Sequence, residues 1–226
     1  MKCGTTSLNA WLREHPGIAF SSHKEVHFFD KNYELGAQWY KTHFPIWERL
    51  LGANCTLEAT PSYLYRAAEV APRMHALIPE AKLIVMLRNP VNRAISHYCH
   101  AVRNQKENRT PEAALMSDFT SDGRHINHYK SRGFYAKQLN HFLSIYPSRN
   151  IFVIKSEEFF ANPSETYQEV LNFLNLEARC LPTSARARNV SAVKPVISDT
   201  VWHHLNLFYQ QPNQDLKDLL GHFEAW

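Results

Sequence analysis

Three short stretches hold residue types that can bind an anion and move a proton. The first is Lys2-Cys3-Gly4-Thr5-Thr6-Ser7, placed directly before Leu8, Trp11 and Leu12 at the i, i+3, i+4 spacing of a helix face. A glycine lets the backbone come close to a ligand, and the first N–H groups of a helix have no partner within it. Those donors, the helix dipole and the Lys2 charge favour a bound phosphate or sulfate. The same residues also read as an ordinary helix start, with Thr5 or Thr6 as the N-cap. The spacing of a Walker A loop is absent.

The second stretch runs from Ser21 to Asp30 and mixes titratable with aromatic residues. Glu25 lies past the C-terminal end of a short strand candidate, Gly17 to Phe20, where an α/β protein presents acids and bases to its ligand crevice. It is a general-base candidate, with His27 two residues on and on the same side of an extended chain. The plainer reading leaves Lys24 and Glu25 in solvent and packs His27 on Phe28 and Phe29. The third stretch is Leu83 to Leu87, an apolar run suited to a strand buried on both faces, with Arg88 at its end. Asn89 can cap the next helix and Pro90 can occupy its first position. Val91, Ala94, Ile95, Tyr98 and Val102 form that helix's apolar stripe, and Ser96 lies off it. Arg88 with Ser96 makes a second anion-site candidate; otherwise Arg88 is structural and Ser96 merely exposed.

Elements that would position these residues alternate between helix and strand. A helix is expected from Thr5 to Glu14, another from Leu35 to Phe44 ended by Pro45, and another from Ala67 to Leu77. Asn54 to Thr60 and Ile151 to Ile154 read as strands. Tyr135, Leu139, Phe142, Leu143 and Tyr146 mark a helical stripe, and Pro163 starts a helix burying Tyr167, Val170, Leu171 and Leu174. Ala178 to Pro195 reads as a basic loop near the anion or as a solvated connector. Trp202, Leu205, Phe208 and Tyr209, then Leu216, Leu219 and Leu220, suggest two C-terminal helices. The pattern predicts one α/β domain, with a mostly parallel sheet flanked by helices.

The 226 residues, 44% of them hydrophobic, suffice for one sizeable core. A net charge of +4 suits an anionic ligand and is too small to argue for nucleic acid. Cys3, Cys55, Cys99 and Cys180 show neither a CxxC pair nor zinc spacing, and the histidines give no ligand spacing, so no metal is expected. No apolar run reaches the roughly 18 residues of a membrane span, and no signal peptide is evident.

Lys2-Cys3-Gly4-Thr5-Thr6-Ser7-Leu8, Glu25-Val26-His27-Phe28-Phe29-Asp30 and Leu87-Arg88-Asn89-Pro90-Val91-Asn92-Arg93-Ala94-Ile95-Ser96-His97-Tyr98 closely resemble the sulfotransferases that use 3′-phosphoadenosine 5′-phosphosulfate (PAPS). The second string is most similar to heparan-sulfate 3-O-sulfotransferases and their bacterial relatives. Gly36 to Tyr40, Ala59 to Tyr63 and Gly133 to Leu139 support the same resemblance. It implies a P-loop-like fold and transfer of a sulfuryl group from PAPS to a hydroxyl or amine, on a carbohydrate. In the family's pattern Lys2, Cys3, Gly4, Thr5, Thr6 and Ser7 match the loop that holds the 5′-phosphosulfate. Arg88 and Ser96 match the pair for the 3′-phosphate, Glu25 matches the base, and His27 and Asp30 match acceptor-side positions.

The chain departs from the family at Ala59, where the 3-O branch has lysine, and near Asn189 to Pro195, where the Lys-Gly-Arg loop over the donor is not intact. It also starts inside its first motif. The expectation is therefore a sulfotransferase domain over 1–226 that is N-terminally truncated and lacks its first strand. With neither anchor nor signal the cytoplasm is the expected compartment; the Golgi lumen is the alternative if an anchor has been lost. Two rival functions are a P-loop phosphotransferase and a non-catalytic relative that binds nucleotide or sulfated glycan.

Overall fold

The computed structural model describes residues 1–44, 52–117, 127–182, 195–221 and 223–226. In chain order its first elements are α1 (Thr5–Leu12), β1 (Ile18–Phe20), α2 (Phe28–Lys31), α3 (Gly36–Lys41), β2 (Cys55–Leu57), α4 (Ser62–Tyr65), α5 (Ala67–Leu77) and β3 (Leu83–Leu87). There follow α6 (Pro90–Arg103), α7 (Pro111–Leu115), α8 (Tyr135–Leu143), β4 (Ile151–Lys155), α9 (Ser156–Ala161), α10 (Pro163–Leu174) and α11 (Asp199–Leu220). Two compact units divide them.

The strand-bearing unit comprises the described residues of Gly4–Met86 and His141–Asn189. β1 and β2 pair in parallel, Ile18 opposite Cys55 and Phe20 opposite Leu57. All three β1 residues are buried, as expected for a strand covered on both faces. The ladder ends where Ser21 N donates to Leu57 O (3.1 Å), and the chain turns away. β3 pairs with β4 in a second two-stranded sheet. In β3 only Met86 and Leu87 are buried and Leu83 to Val85 are partly exposed, against the expectation of a strand covered throughout. Among the described residues β4 is its only paired strand.

An aromatic core forms beneath α2. Phe28 stacks on Tyr40 (centroids 4.6 Å) and Phe29 meets the edge of Tyr63 (5.6 Å). Val70, Ala71, Met74, Phe142 and Tyr146 complete it. Such ring pairs contribute about 0.5–1.5 kcal/mol each beyond their area. Both α2 phenylalanines are therefore committed inward, which fixes where its polar residues emerge.

The helical unit comprises the described residues of Met1–Cys3, Leu87–Asn140 and Val190–Trp226. Asn89 caps α6 by accepting from Asn92 N (3.1 Å), with Pro90 in the first turn. Val91, Ala94 and Tyr98 on α6 pack with Ala114 and Leu115 of α7 and with Val201, Leu205 and Tyr209 of α11. The expected pair of C-terminal helices is one helix of 22 residues that runs through Pro212. Leu205, Tyr209 and Leu216 stay buried on one face across the proline, so packing overrides its missing N–H. Helix α3 is shorter than expected, and Pro45, read as its terminator, lies outside the described residues. So does most of the Ala178 to Pro195 loop, including Arg186, Arg188 and Lys194.

Candidate active site

In the strand-bearing unit the segment after β1 gathers three titratable side chains. His27 adopts a left-handed backbone conformation (φ +54°) as the N-cap residue of α2. The pairing of Glu25 with His27 thus comes from a turn, where an extended strand was expected. Asp30, on the first turn of α2, is buried, and both its carboxylate oxygens lie 3.1 Å from His27 Nδ1. Ser62 Oγ donates to Asp30 Oδ2 (2.6 Å). On the other edge of the ring, His27 Nε2 is 3.5 Å from Glu25 Oε2.

This geometry orders the protons. An ionised carboxylate only accepts, so Asp30 selects the form of His27 that carries Nδ1–H. Nε2 then faces Glu25, the outermost of the three, whose side chain is 40% exposed against none for Asp30. A general base needs access to an incoming proton, and the exposure of Glu25 meets that condition. The phenylalanines point into the core while His27 reaches Asp30, so the arrangement of His27 packed on Phe28 and Phe29 is not adopted.

The loop before α1 belongs to the same unit from Gly4 onward. Gly4 is the N-cap, with φ +94°, and no side chain caps the helix. Thr5 and Thr6 sit within the first turn, so neither is the N-cap, and no acidic residue stands there. A Cβ on Gly4 would lie 3.2 Å from Met86 Cε and from the Phe160 ring. The positive φ favours glycine, and an added Cβ would press on both side chains. The open amides of the first turn keep their capacity for an anion. Lys24 Nζ donates to Thr6 Oγ1 (3.0 Å), bringing a second lysine to this turn.

The helical unit carries a group of cations. Arg88 Nη1 donates to Lys2 O (3.3 Å), and Tyr135 Oη donates to Arg88 O (2.8 Å), fixing the arginine backbone. Lys2 has a left-handed backbone (φ +66°). Burial, and then the charges of Arg103 and Arg88, hold its amine below the ordinary lysine range. Burial, Lys2, Arg103 and Lys106 likewise lower His100. Among the described residues no carboxylate pairs with Lys2, Arg88 or Arg103. Mutually repelling cations without a counter-charge are suited to an anion. Ser96 is half-buried on α6 and shares no hydrogen bond with Arg88 or Lys2.

The structure thus brings together Glu25, His27 and Asp30, and separately Lys2 and Arg88. Sequence reasoning passed over Lys24, Ser62 and Arg103 as site residues. Ser62 had a signal, since its Thr60-Pro61-Ser62-Tyr63 turn stood out as a motif; Arg103 had none. Among the described residues no group of three or more His, Cys, Asp or Glu side chains is arranged to hold a metal ion. No described helix is long and apolar enough to cross a membrane.

Residues 1–214 match the family described as the sulfotransferase domain, and the chain belongs to that family. It is 30% identical over 248 residues to human heparan sulfate glucosamine 3-O-sulfotransferase 3B1, covering 100% of this chain and 62% of that protein. Over 111 residues it is 40% identical to the membrane-associated sulfotransferase kil1 of Dictyostelium discoideum, covering 49% of this chain and 23% of that one. The crystal structure of a sulfotransferase from Alicyclobacillus acidocaldarius superposes with a TM-score of 0.82 at 26% identity, over 98% of this chain and 93% of that one. The chain spans 60% to 62% of the length of the human 3-O-sulfotransferases 3A1 and 3B1.

Proposed function

We propose that this protein transfers a sulfuryl group from PAPS to a hydroxyl or amine of a carbohydrate acceptor. The observation that carries the reading is the exposed Glu25 carboxylate beside His27, whose ring is anchored by the buried Asp30, in a chain of the sulfotransferase family. In the proposed step the acceptor oxygen or nitrogen bonds to sulfur as Glu25 takes its proton. The bond from sulfur to the phosphate oxygen breaks, and its electron pair leaves with adenosine 3′,5′-bisphosphate. Negative charge grows on that departing phosphate, where Lys2 and the amides from Gly4 to Ser7 are assigned to stabilise it. Arg88 and Ser96 are assigned to the 3′-phosphate and His27 and Asp30 to the acceptor side. The human relatives named for heparan sulfate glucosamine support a carbohydrate acceptor.

Calorimetric titration with adenosine 3′,5′-bisphosphate, without magnesium, tests the donor half of this reading. Binding at about micromolar affinity or better is expected, weakened roughly tenfold or more by Arg88→Ala. A folded protein that binds no bisphosphate overturns it. Binding that depends on magnesium points instead to a phosphotransferase.

A further inference from the structure

Ser62 of the Thr60-Pro61-Ser62-Tyr63 turn serves Asp30, while the hydroxyls of Thr60 and Tyr63 accept from the backbone that carries the site. Glu58, just past β2, accepts three hydroxyl hydrogen bonds. Thr60 Oγ1 (2.5 Å) and Tyr63 Oη (2.7 Å) donate to Oε1, and Tyr40 Oη (2.9 Å) donates to Oε2. Two of these hydroxyls also accept from the start of α2. His27 N donates to Thr60 Oγ1 (3.4 Å) and Phe29 N donates to Tyr63 Oη (3.3 Å).

These contacts supply what α2 lacks locally. Its N-cap, His27, makes no side-chain cap and sits in a conformation that a residue with a Cβ adopts at a cost of order 1 kcal/mol or more. The amides of His27 and Phe29 would otherwise be orphaned at the helix start. A hydroxyl that donates to a carboxylate is polarised into a better acceptor, so Glu58 strengthens both links. Burial, and then the charge of Glu58, push the Tyr40 and Tyr63 phenols well above the ordinary range, which keeps both as donors. Tyr40, Thr60 and Tyr63 are themselves buried.

We infer that Glu58, Thr60 and Tyr63 are positioning residues. They form a carboxylate–hydroxyl relay that fixes the left-handed turn at His27 and thereby aims its ring between Glu25 and Asp30. The relay rests on the sulfuryl-transfer reading only for its effect on turnover; its effect on His27 can be read without any reaction.

The test compares Thr60→Val, which keeps the volume and deletes the hydroxyl, with Thr60→Ser, which restores it. Nitrogen-15 resonances of the His27 amide and imidazole report the turn directly, and steady-state kinetics report its consequence. In Thr60→Val the His27 signals shift and kcat falls about tenfold or more, while KM for PAPS and the bisphosphate affinity stay within about twofold. Thr60→Ser returns both readouts towards wild type. Should Thr60→Val fail to fold, Tyr63→Phe serves, since it deletes the hydroxyl that accepts from Phe29 N and donates to Glu58. Unmoved His27 signals, unchanged kcat, or a serine variant as damaged as the valine one would overturn the relay. If wild type binds bisphosphate but sulfates no acceptor, the functional proposal fails and the resonances alone decide the relay.

Discussion

Asp30 presents both carboxylate oxygens to Nδ1 of His27 at 3.1 Å from beneath the ring, while Ser62 Oγ takes up one of them at 2.6 Å. The imidazole is held from its buried edge, and its other edge lies 3.5 Å from Glu25. Asp30→Asn replaces an acceptor-only group with one that can also donate, and so loosens the choice of tautomer. The expected result is a fall in kcat of about 10-fold to 10²-fold, with KM for PAPS unchanged. Steady-state kinetics on a purified, folded variant check it.

Glu25→Gln keeps the shape and removes the proposed base. Transfer should fall by about 10²-fold or more in single-turnover assays. Calorimetry should find bisphosphate affinity within about twofold of wild type. Retention of full turnover would remove Glu25 from the mechanism.

Gly4→Ala asks the chain to hold a side chain at φ +94° with its Cβ 3.2 Å from Met86 and Phe160. The strain is of order 1–3 kcal/mol. Thermal melts should show a lower Tm, and calorimetry a bisphosphate affinity weakened in parallel, because the loop must shift to relieve the positive φ.

Acid should act on the helical unit in two stages. His97 is buried on α6, and burial, followed by the charges of Arg93 and Arg132, lowers its pKa to about 2 from 6.5. The unfolded chain therefore binds a proton below pH 6.5 that the folded chain refuses, and stability falls as pH drops below that value. Glu107 behaves differently. Burial alone would raise it, but hydrogen bonds from Arg109 and Tyr129 outweigh burial and set it at about 2, against 4.5. Its stabilisation is full above pH 4.5 and is lost as pH falls towards 2. Denaturant midpoints measured from pH 7 to pH 3 should decline from about pH 6.5 in wild type. His97→Gln should flatten the upper part of that decline and leave the part below pH 4.5.

Lys24 is exposed and bonded to Thr6 Oγ1, so its removal should cost little stability. Lys24→Gln is expected to leave Tm within about 2 °C and to weaken bisphosphate binding severalfold, with a shallower dependence of affinity on salt. Titrations at two ionic strengths check both.

Much of the fold was legible locally. Asn89 with Pro90 announced the start of α6, Pro163 that of α10, and the strand runs Leu83 to Leu87 and Ile151 to Ile154 fell where β3 and β4 form. Caps and apolar periods act over a few residues, so a short window contains their cause. The continuous α11 escaped that window, because the burial of Val201, Leu205 and Tyr209 against α6 and α7 comes from distant parts of the chain.

The sequence by itself determined the residue types of the proposed chemistry: a lysine–glycine–hydroxyl loop, a Glu-Val-His-Phe-Phe-Asp string, and an arginine past an apolar run. Tertiary structure alone decided how they meet. Ser62 reaches Asp30 across 32 positions and Arg88 reaches Lys2 across 86. His27 faces Glu25 through a left-handed turn that no pleat would produce, held by hydroxyls from a segment more than 30 residues away. Partners so distant in the chain are chosen by burial of the aromatic core, which sets where α2 and the segment after β2 come together, and no local preference encodes that choice.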